Sequence, residues 1–221
     1  VPGLKISRVS KSAAEVGGDY YDFFDLGGNR LGLVIADASG KNVPAAIIMT
    51  VFKTTLSTMD LADLPAAEVL TKANEIIQRN ITNDRFITAM YAIIDAGTGA
   101  VELACAGHNP AIVASMRNGV PALEERSASG LPLGIVSMKY QSTRFSMQSG
   151  DLLVMYTDGV TEARNLDGAE YGIGALRRFL TRPRSSNPAV DLLEDVKAFT
   201  GDAPQYDDIT AVTVEFHGSG K

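Results

Sequence analysis

Two short apolar runs, each ending at an aspartate, constrain the fold of this 221-residue chain most strongly. Residues 31–36 read LGLVIA and are followed by Asp37, and residues 151–157 read DLLVMYT and are followed by Asp158. Nearly continuous apolar runs of this length are typical of buried strands. The sequence therefore predicts a buried sheet structure in which carboxylates stand at the carboxyl ends of strands.

Further segments extend this strand-rich pattern, and paired helical segments interrupt it. In addition to the two runs, strands are predicted at 87–95, 100–106, 111–116, 140–147 and 209–216. Helices are predicted at 43–59, 65–80, 173–180 and 188–199, the first two as an antiparallel pair. Because strands and helices do not alternate regularly, the pattern favours an α+β fold with two antiparallel sheets face to face and helices outside.

The length and charge of the chain limit its domain count and its partners. A length of 221 residues fits a single domain covering residues 1–221. The chain carries 20 Lys and Arg against 26 Asp and Glu, a formal net charge of −6, which disfavours nucleic acid as a partner. Because the chain begins at Val1 without an initiator Met, we expect it to be a piece of a longer protein that has an upstream domain.

The chain has one thiol and two imidazole groups, too few for a disulfide or for an ordinary zinc site. Cys105 is the single cysteine, so no intrachain disulfide can form, and this usage fits the reducing cytoplasm. With His108 and His217 as the only histidines, an ordinary zinc site lacks ligands, and a metal here would be held by oxygen. No apolar stretch approaches the ~20 residues of a membrane span, so the fragment is not expected to contact a membrane.

Carboxylates recur at strand ends and in glycine-rich turns along the chain. They are Asp19, Asp37, Asp158 and the pair Asp207 and Asp208. Antiparallel pairing would bring strand ends with Asp37 and Asp158 next to the strand start after Asp207, at one edge. Two unit charges 4 Å apart repel by ~4 kcal/mol at an effective dielectric of 20, so such a cluster favours bound cations. By themselves the residues indicate a divalent-metal site and leave its reaction open, although a centre with two such ions is suited to hydrolysis at phosphorus.

Three residues could suggest other catalytic or nucleotide-binding functions, but their sequence context does not support those functions. Cys105 is followed six positions later by Ala111 and not by arginine, so it is interpreted as a small buried hydrophobe. His108 lies in a turn of glycine, asparagine and proline, and is interpreted as a structural hydrogen-bonding group. Lys41 does not belong to a nucleotide phosphate loop, because Asn42 replaces the required Ser or Thr.

Six sequence motifs in a fixed order carry a family resemblance that spans nearly the whole chain. They are AEVGGDYYD at 14–22, LVIADASGK at 33–41, AGHNP at 106–110, GLPLG at 130–134, YTDGVTE at 156–162 and DDIT at 207–210. With these motifs the chain resembles the metal-dependent protein phosphatase family (PPM, type 2C-like), in its bacterial sporulation and stress-response branch. The resemblance implies an αββα sandwich, two antiparallel sheets flanked by helix pairs, with two Mn²⁺ or Mg²⁺ ions at one end.

The resemblance also implies roles for individual residues. Asp37 would bridge the two metal ions, Asp19 and the backbone carbonyl of Ala38 would bind one of them, and Asp158 and Asp207 would bind the other. These residues would activate a water for direct attack on phosphoserine or phosphothreonine in a protein. The implied substrate is a phosphorylated regulatory protein of the anti-anti-sigma type, and the implied partners include an upstream sensory domain in the same chain and a second copy as a homodimer.

The chain departs from the family pattern at three points. Asp208 stands where many relatives have Asn, so it is expected to lie behind the ligands. Ser39 stands where the eukaryotic branch has His, which leaves the proton donor for the leaving group unassigned. Arg8 is the nearest arginine before Asp19, and no arginine in the matching stretch is available to bind the phosphate.

Two other functions stay open as alternatives. One is a regulatory binding module of the same fold, which turns over little until an upstream domain orders the metal site through the helices at 43–59 and 65–80. The other is a phosphodiesterase or nuclease that uses the same metals, which the net charge of −6 disfavours.

Overall fold

The structure is a computed structural model that describes residues 1–40, 42–81 and 85–218. Lys41, in the second motif above, therefore lies outside the described residues. Within them the strands are β1 (Leu4–Lys11), β2 (Asp19–Asp25), β3 (Arg30–Ala38), β4 (Ile87–Asp95), β5 (Ala100–Ala106), β6 (Ala111–Arg117), β7 (Val120–Arg126), β8 (Ser142–Ser146), β9 (Leu152–Tyr156) and β10 (Ile209–Phe216). The helices there are α1 (Asn42–Thr58), α2 (Ala66–Asn80), α3 (Asp158–Thr161), α4 (Gly172–Leu180) and α5 (Pro188–Thr200).

The strands form two five-stranded sheets in which all neighbouring strands are antiparallel. One sheet has the order β1-β10-β9-β6-β7 and the other the order β2-β3-β4-β5-β8. The two apolar runs form β3 and β9, which have a neighbouring strand on each side and are almost entirely buried. The predicted α+β class and the pair of antiparallel sheets are confirmed.

Apolar side chains form three layers that define the sandwich. Leu33 and Met90 of one sheet pack with Leu153 and Val212 of the other in the layer between the sheets. A second layer joins α1 and α2 to the β2-β3-β4-β5-β8 sheet, and a third joins α4 and α5 to the other sheet. The arrangement is the αββα sandwich that the family resemblance implied.

The two long helices bury their apolar residues in different ways. In α2 the residues Val69, Leu70, Ala73 and Ile77 share one face and are fully buried, as the helical spacing predicts. In α1 the apolar residues surround the helix, and Ile47 is 60% exposed. None of the described helices is both long enough and apolar enough to pass through a bilayer.

The strands that sequence patterns did not predict are edge strands. They are β1 and β7 in one sheet and β2 in the other, and the predicted strand at 140–147 is shortened to β8 at a fourth edge. Edge strands face solvent on more sides, so their residues are only partly buried and lack a strong apolar pattern. This loss of pattern explains why they escaped prediction.

Candidate metal centre

Strand pairing in the β2-β3-β4-β5-β8 sheet places two of the aspartates side by side. Asp19, the first residue of β2, is directly opposite Asp37, the second-last residue of β3. Gly18 precedes Asp19, and a Cβ on it would lie 3.2 Å from the Ala38 carbonyl oxygen and 3.5 Å from Asp37 Oδ1. The absence of a side chain at Gly18 therefore leaves space in front of the oxygens of Ala38 and Asp37.

Strand pairing in the other sheet brings two more aspartates to a common end. Asp158 begins α3 two residues after the end of β9, and Asp207 stands two residues before β10. The two segments are joined where the Thr157 amide donates a hydrogen bond to the Thr210 carbonyl over 3.0 Å. Because β9 and β10 are antiparallel, the end of one strand lies beside the start of the other.

The two sheets meet at this end through hydrogen bonds between side chains and backbone. The Thr157 hydroxyl donates a 2.8 Å hydrogen bond to Asp19 Oδ2, which links β9 to β2. The Asp208 carboxylate accepts hydrogen bonds from the amides of Ala13 (2.8 Å) and Gly18 (2.6 Å). The prediction that antiparallel pairing gathers Asp37, Asp158 and Asp207 at one sheet edge is therefore wrong in detail. Asp37 lies in one sheet, Asp158 and Asp207 adjoin strands of the other, and the ends of the two sheets converge.

The environment of Asp37 disfavours its negative charge. Burial raises the pKa of the Asp37 carboxyl to about 8, and nearby negative charges contribute further. Those charges are the carboxylates of Asp19, Asp158, Asp207 and Asp208. An anion in this position needs a cation nearby to be stable at neutral pH.

The neighbours of Asp37 are affected in the same direction. Burial raises the pKa of Asp19 to about 7, although the hydroxyls of Thr210 and Thr157 offset part of the rise. Burial and the charge of Asp207 also raise the pKa of Asp158. The end of the sandwich is therefore an oxygen-rich region in which carboxylates repel one another.

The donor set fits hard divalent cations. A small cavity of about 30 Å³, with Asp37, Asp207 and Asp208 in its wall, has room for an ion or a water molecule. Among the described residues, no three carboxylate, imidazole or thiol groups are spaced to hold one ion by themselves. An ion here would keep part of its water shell, which is how proteins usually bind Mg²⁺ with one or two carboxylates.

Asp208 holds the segment that leads into Asp19. Besides the two bonds above, its Oδ2 is 3.4 Å from the Asp19 amide, and the residue is only 8% exposed. A Cβ on Gly159 would lie 1.9 Å from the Asp208 backbone oxygen, so α3 and the start of β10 touch through backbone atoms. Asp208 therefore fixes the position of the segment before β2, and the close contact at Gly159 fixes the distance between α3 and the start of β10.

His108 is a buried neutral group behind the site. Its Nδ1 is 2.9 Å from the Thr88 hydroxyl, and Thr88 is paired with Asp37 across β3 and β4. Burial lowers the pKa of His108 to about 4. The sequence interpretation of His108 as a structural hydrogen-bonding group agrees with these contacts, and Cys105 is likewise buried.

Thr157 and Arg85 also belong to this region, although no sequence pattern gave either residue a role there. The Arg85 Nη1 donates a 3.3 Å hydrogen bond to the Ser39 carbonyl and lies against Gly40, which lines the same cavity as Asp37. The Ser39 hydroxyl accepts from the Phe86 amide over 2.9 Å. Arg85 is far from Asp19 along the sequence, so no local motif could reveal its position.

Arg8, the nearest arginine before Asp19, occupies a different place. Its guanidinium lies over the Phe23 ring, 5.9 Å from the ring centre. A cation in contact with an aromatic face is stabilised there. Of these two arginines, the fold therefore brings Arg85 beside the acidic cavity and places Arg8 elsewhere.

The raised pKa values predict how the stability of the metal-free chain depends on pH. An acid with a higher pKa in the folded state binds more protons when folded, so the free energy of unfolding falls as pH rises from about 4 to about 8. Thermal unfolding in chelator across this range should show the fall, and added Mn²⁺ should reverse it. In Asp37→Asn the dependence should be weaker, and equal slopes in both proteins would contradict the prediction.

Comparisons with known proteins identify relatives by sequence. A family model described as Stage II sporulation protein E (SpoIIE) matches residues 27–217. The phosphoserine phosphatase RsbU of Bacillus subtilis is 32% identical over 167 residues, which cover 75% of this chain and 49% of RsbU. The phosphoserine phosphatase RsbP of the same organism is 24% identical over 164 residues, 72% of this chain and 40% of RsbP. The chain spans about half or less of the length of these curated relatives.

Solved structures establish the same fold. The PP2C phosphatase domain of SpoIIE from Bacillus subtilis superposes with a TM-score of 0.81 at 22% identity, covering 96% of this chain and 63% of that chain. The SiaA-PP2C domain of Pseudomonas aeruginosa superposes with a TM-score of 0.83 at 17% identity, covering 96% of this chain and 86% of that chain.

Proposed function

The chain belongs to the SpoIIE family, and from this premise we propose that it is a metal-dependent protein serine/threonine phosphatase. The observation that carries the proposal is the convergence of four carboxylates from two sheets at one end of the sandwich. Those carboxylates belong to Asp19, Asp37, Asp158 and Asp207. Mutual repulsion and burial make the group a ready binding place for divalent cations.

The residues of this end have separate tasks in the proposal. Asp37 would hold both ions, Asp19 and the Ala38 carbonyl would hold one, and Asp158 and Asp207 would hold the other. Two bound Mn²⁺ or Mg²⁺ ions would supply an activated water and neutralise charge on the phosphoryl oxygens.

Other residues position these groups. The Thr157 hydroxyl keeps the Asp19 carboxylate turned toward β9. The positive charge of Arg85, beside the cavity wall at Gly40, favours a phosphoryl dianion close by. In the net reaction a water oxygen bonds to phosphorus, the bond from phosphorus to the serine oxygen breaks, and that oxygen takes a proton.

The substrate in this proposal is a phosphorylated regulatory protein of the anti-anti-sigma type. Both RsbU and RsbP are named phosphoserine phosphatases, which supports phosphoserine as the group removed. We further propose that an upstream sensory domain of the same protein controls the reaction, and that the reaction takes place in the cytoplasm. A single cysteine supports the last point, since it fits a reducing compartment.

One observation favours the alternative of a regulated module with little turnover. Val43 and Ile47 on α1 are 58% and 60% exposed, and they follow closely on Gly40 in the cavity wall. A partner that covers this apolar face could shift the helix and the metal ligands together. If so, the 221-residue chain should be much slower than the longer protein at saturating Mn²⁺.

A phosphopeptide assay tests the proposed function directly. With Mn²⁺ the chain should release phosphate from a phosphoserine peptide about 1000-fold faster than in chelator, a difference of ~4 kcal/mol in the barrier. In water labelled with ¹⁸O, the label should enter phosphate and not serine, and no phosphorylated protein should accumulate. Hydrolysis that is independent of metal, or a trapped phosphoenzyme, would contradict the proposal.

A further inference from the structure

A cleft of about 360 Å³ opens beside the candidate metal centre, between α3, α5 and the segment that leads into β10. Its floor contains Leu193 and Val196 of α5, which are buried apolar residues. Ala163 and Ala203 line its sides, and Tyr206, which is 62% exposed, stands on its rim. Of the residues that line this cleft, the chemistry proposed above uses Asp207 alone.

The cleft is continuous with the small cavity that contains Asp37. Tyr206 and Asp207 line both spaces, and Gly159, next to Asp158, lines the cleft. Because one extended residue spans about 3.3 Å, side chains one to three positions from a bound phosphoserine can reach the cleft. The cleft therefore lies within reach of the residues that flank a bound phosphoserine.

Hydrogen bonds hold the wall of the cleft in place without a ligand. The Gln205 side-chain amide donates to the Lys11 carbonyl over 2.8 Å and to the Asp207 carbonyl over 2.7 Å. The Ala203 amide donates to the Thr200 carbonyl over 3.2 Å, which ties the wall to the end of α5. A subsite that is already formed costs little conformational entropy when it is filled.

The floor of the cleft is apolar, whereas its rim is polar and charged. On the rim, Arg164 pairs with Glu170 at 2.8 Å and Lys197 with Glu194 at 2.6 Å, and Lys11 and Glu162 also line the cleft. The floor offers only apolar side chains, in which an unpaired charge would be costly. An aliphatic side chain can be buried there with a gain in free energy.

We propose that this cleft is a specificity subsite that takes an apolar side chain of the substrate polypeptide within about three residues of the phosphoserine. The inference rests on the proposed phosphatase function and deepens it. It adds to the reaction a requirement on the sequence around the phosphorylated residue.

A leucine scan of a phosphoserine peptide tests the subsite. Each residue of an alanine-flanked phosphoserine peptide is replaced in turn by leucine, and kcat/KM is measured with the 221-residue chain and Mn²⁺. Leucine at one or two positions should raise kcat/KM about tenfold or more, the range expected for burial of one aliphatic side chain. If no position has an effect, the inference is overturned.

Variants that fill the cleft connect the effect to this place. Ala203→Trp should remove the gain from leucine, and Thr200→Phe, which fills the cleft from the end of α5, should do the same if Ala203→Trp folds poorly. The matched control is Ala198→Trp, at a residue of α5 that lines a different cleft, and it should keep the gain. A gain that survives in both filled variants would overturn the inference.

A small substrate separates this inference from the proposed function. Hydrolysis of p-nitrophenyl phosphate, which has no polypeptide, should stay within about twofold of wild type in Ala203→Trp, because a group of this size does not extend into the cleft. Metal-dependent hydrolysis of p-nitrophenyl phosphate without any leucine preference would overturn the subsite and leave the phosphatase function standing. Absence of hydrolysis of both substrates would overturn the phosphatase function and the subsite with it.

Discussion

The variant Asp37→Asn is expected to lose metal-dependent phosphate release, with kcat lowered about 1000-fold or more. The amide has no negative charge to attract two divalent ions, and the group at the centre of the four other carboxylates is the one removed. A loss of this size corresponds to ~4 kcal/mol or more in the barrier. Phosphate release from a phosphoserine peptide at saturating Mn²⁺ measures it.

The fold should survive this substitution, which makes the result specific. Without metal, Asp37→Asn should unfold at the same or a higher temperature than wild type at pH 8, because a buried repulsive charge is gone. The matched control is Asp25→Asn on β2, at the opposite end of the strand from Asp19, where the side-chain oxygen accepts from the Gly27 amide. This control should keep full activity, and full activity in Asp37→Asn would refute the role of Asp37.

The variant Gly159→Ala should be the most destabilising single methyl addition at the site. Its Cβ would stand 1.9 Å from the Asp208 backbone oxygen, a distance that only a backbone shift can relieve. We expect the free energy of unfolding to fall by about 3 kcal/mol or more and the midpoint by about 10 °C. Activity should fall too, because α3 and the start of β10 would be pushed apart and Asp158 would move from Asp207.

Gly174→Ala is the matched control, since it makes the same chemical change in a different place. Gly174 lies within α4, and a Cβ there would meet only the Arg178 Nη1, at 3.5 Å. Alanine in a helix is favoured over glycine by about 1 kcal/mol, so this variant should be slightly more stable than wild type. Chemical denaturation of both variants gives the comparison, and a Gly159→Ala protein as stable as wild type would refute the close contact.

The central strands of the fold could be predicted because their environment is uniform. The runs that became β3 and β9 have a neighbouring strand on each side and are buried on both faces, so nearly every residue is apolar. In β1 and β7 the burial varies from residue to residue, and β7 contains Pro121. Such segments have the composition of loops, and only pairing with a neighbour makes them strands.

The residues of the candidate site could be predicted from the sequence, but the way in which the two sheets bring them together could not. Glycine-rich turns and strand ends pointed to Asp19, Asp37 and Asp158 from local sequence alone. That β2 and β9 belong to different sheets, and that Thr157 joins them, could not be predicted from local sequence. The hydrogen bond involves residues 138 positions apart, a separation at which local patterns carry no signal.

By itself, the amino-acid sequence determined the two-sheet architecture, the central strands and an oxygen-rich set of carboxylates suited to divalent cations. Periodicity and chain punctuation are local properties, so they survive without knowledge of packing. Only the tertiary structure decided that the aspartate-bearing ends of the two sheets meet, that Arg85 lies beside the acidic cavity, and that a cleft with an apolar floor adjoins this cavity. These features depend on which distant surfaces pack together, and that choice is made by burial of the whole core.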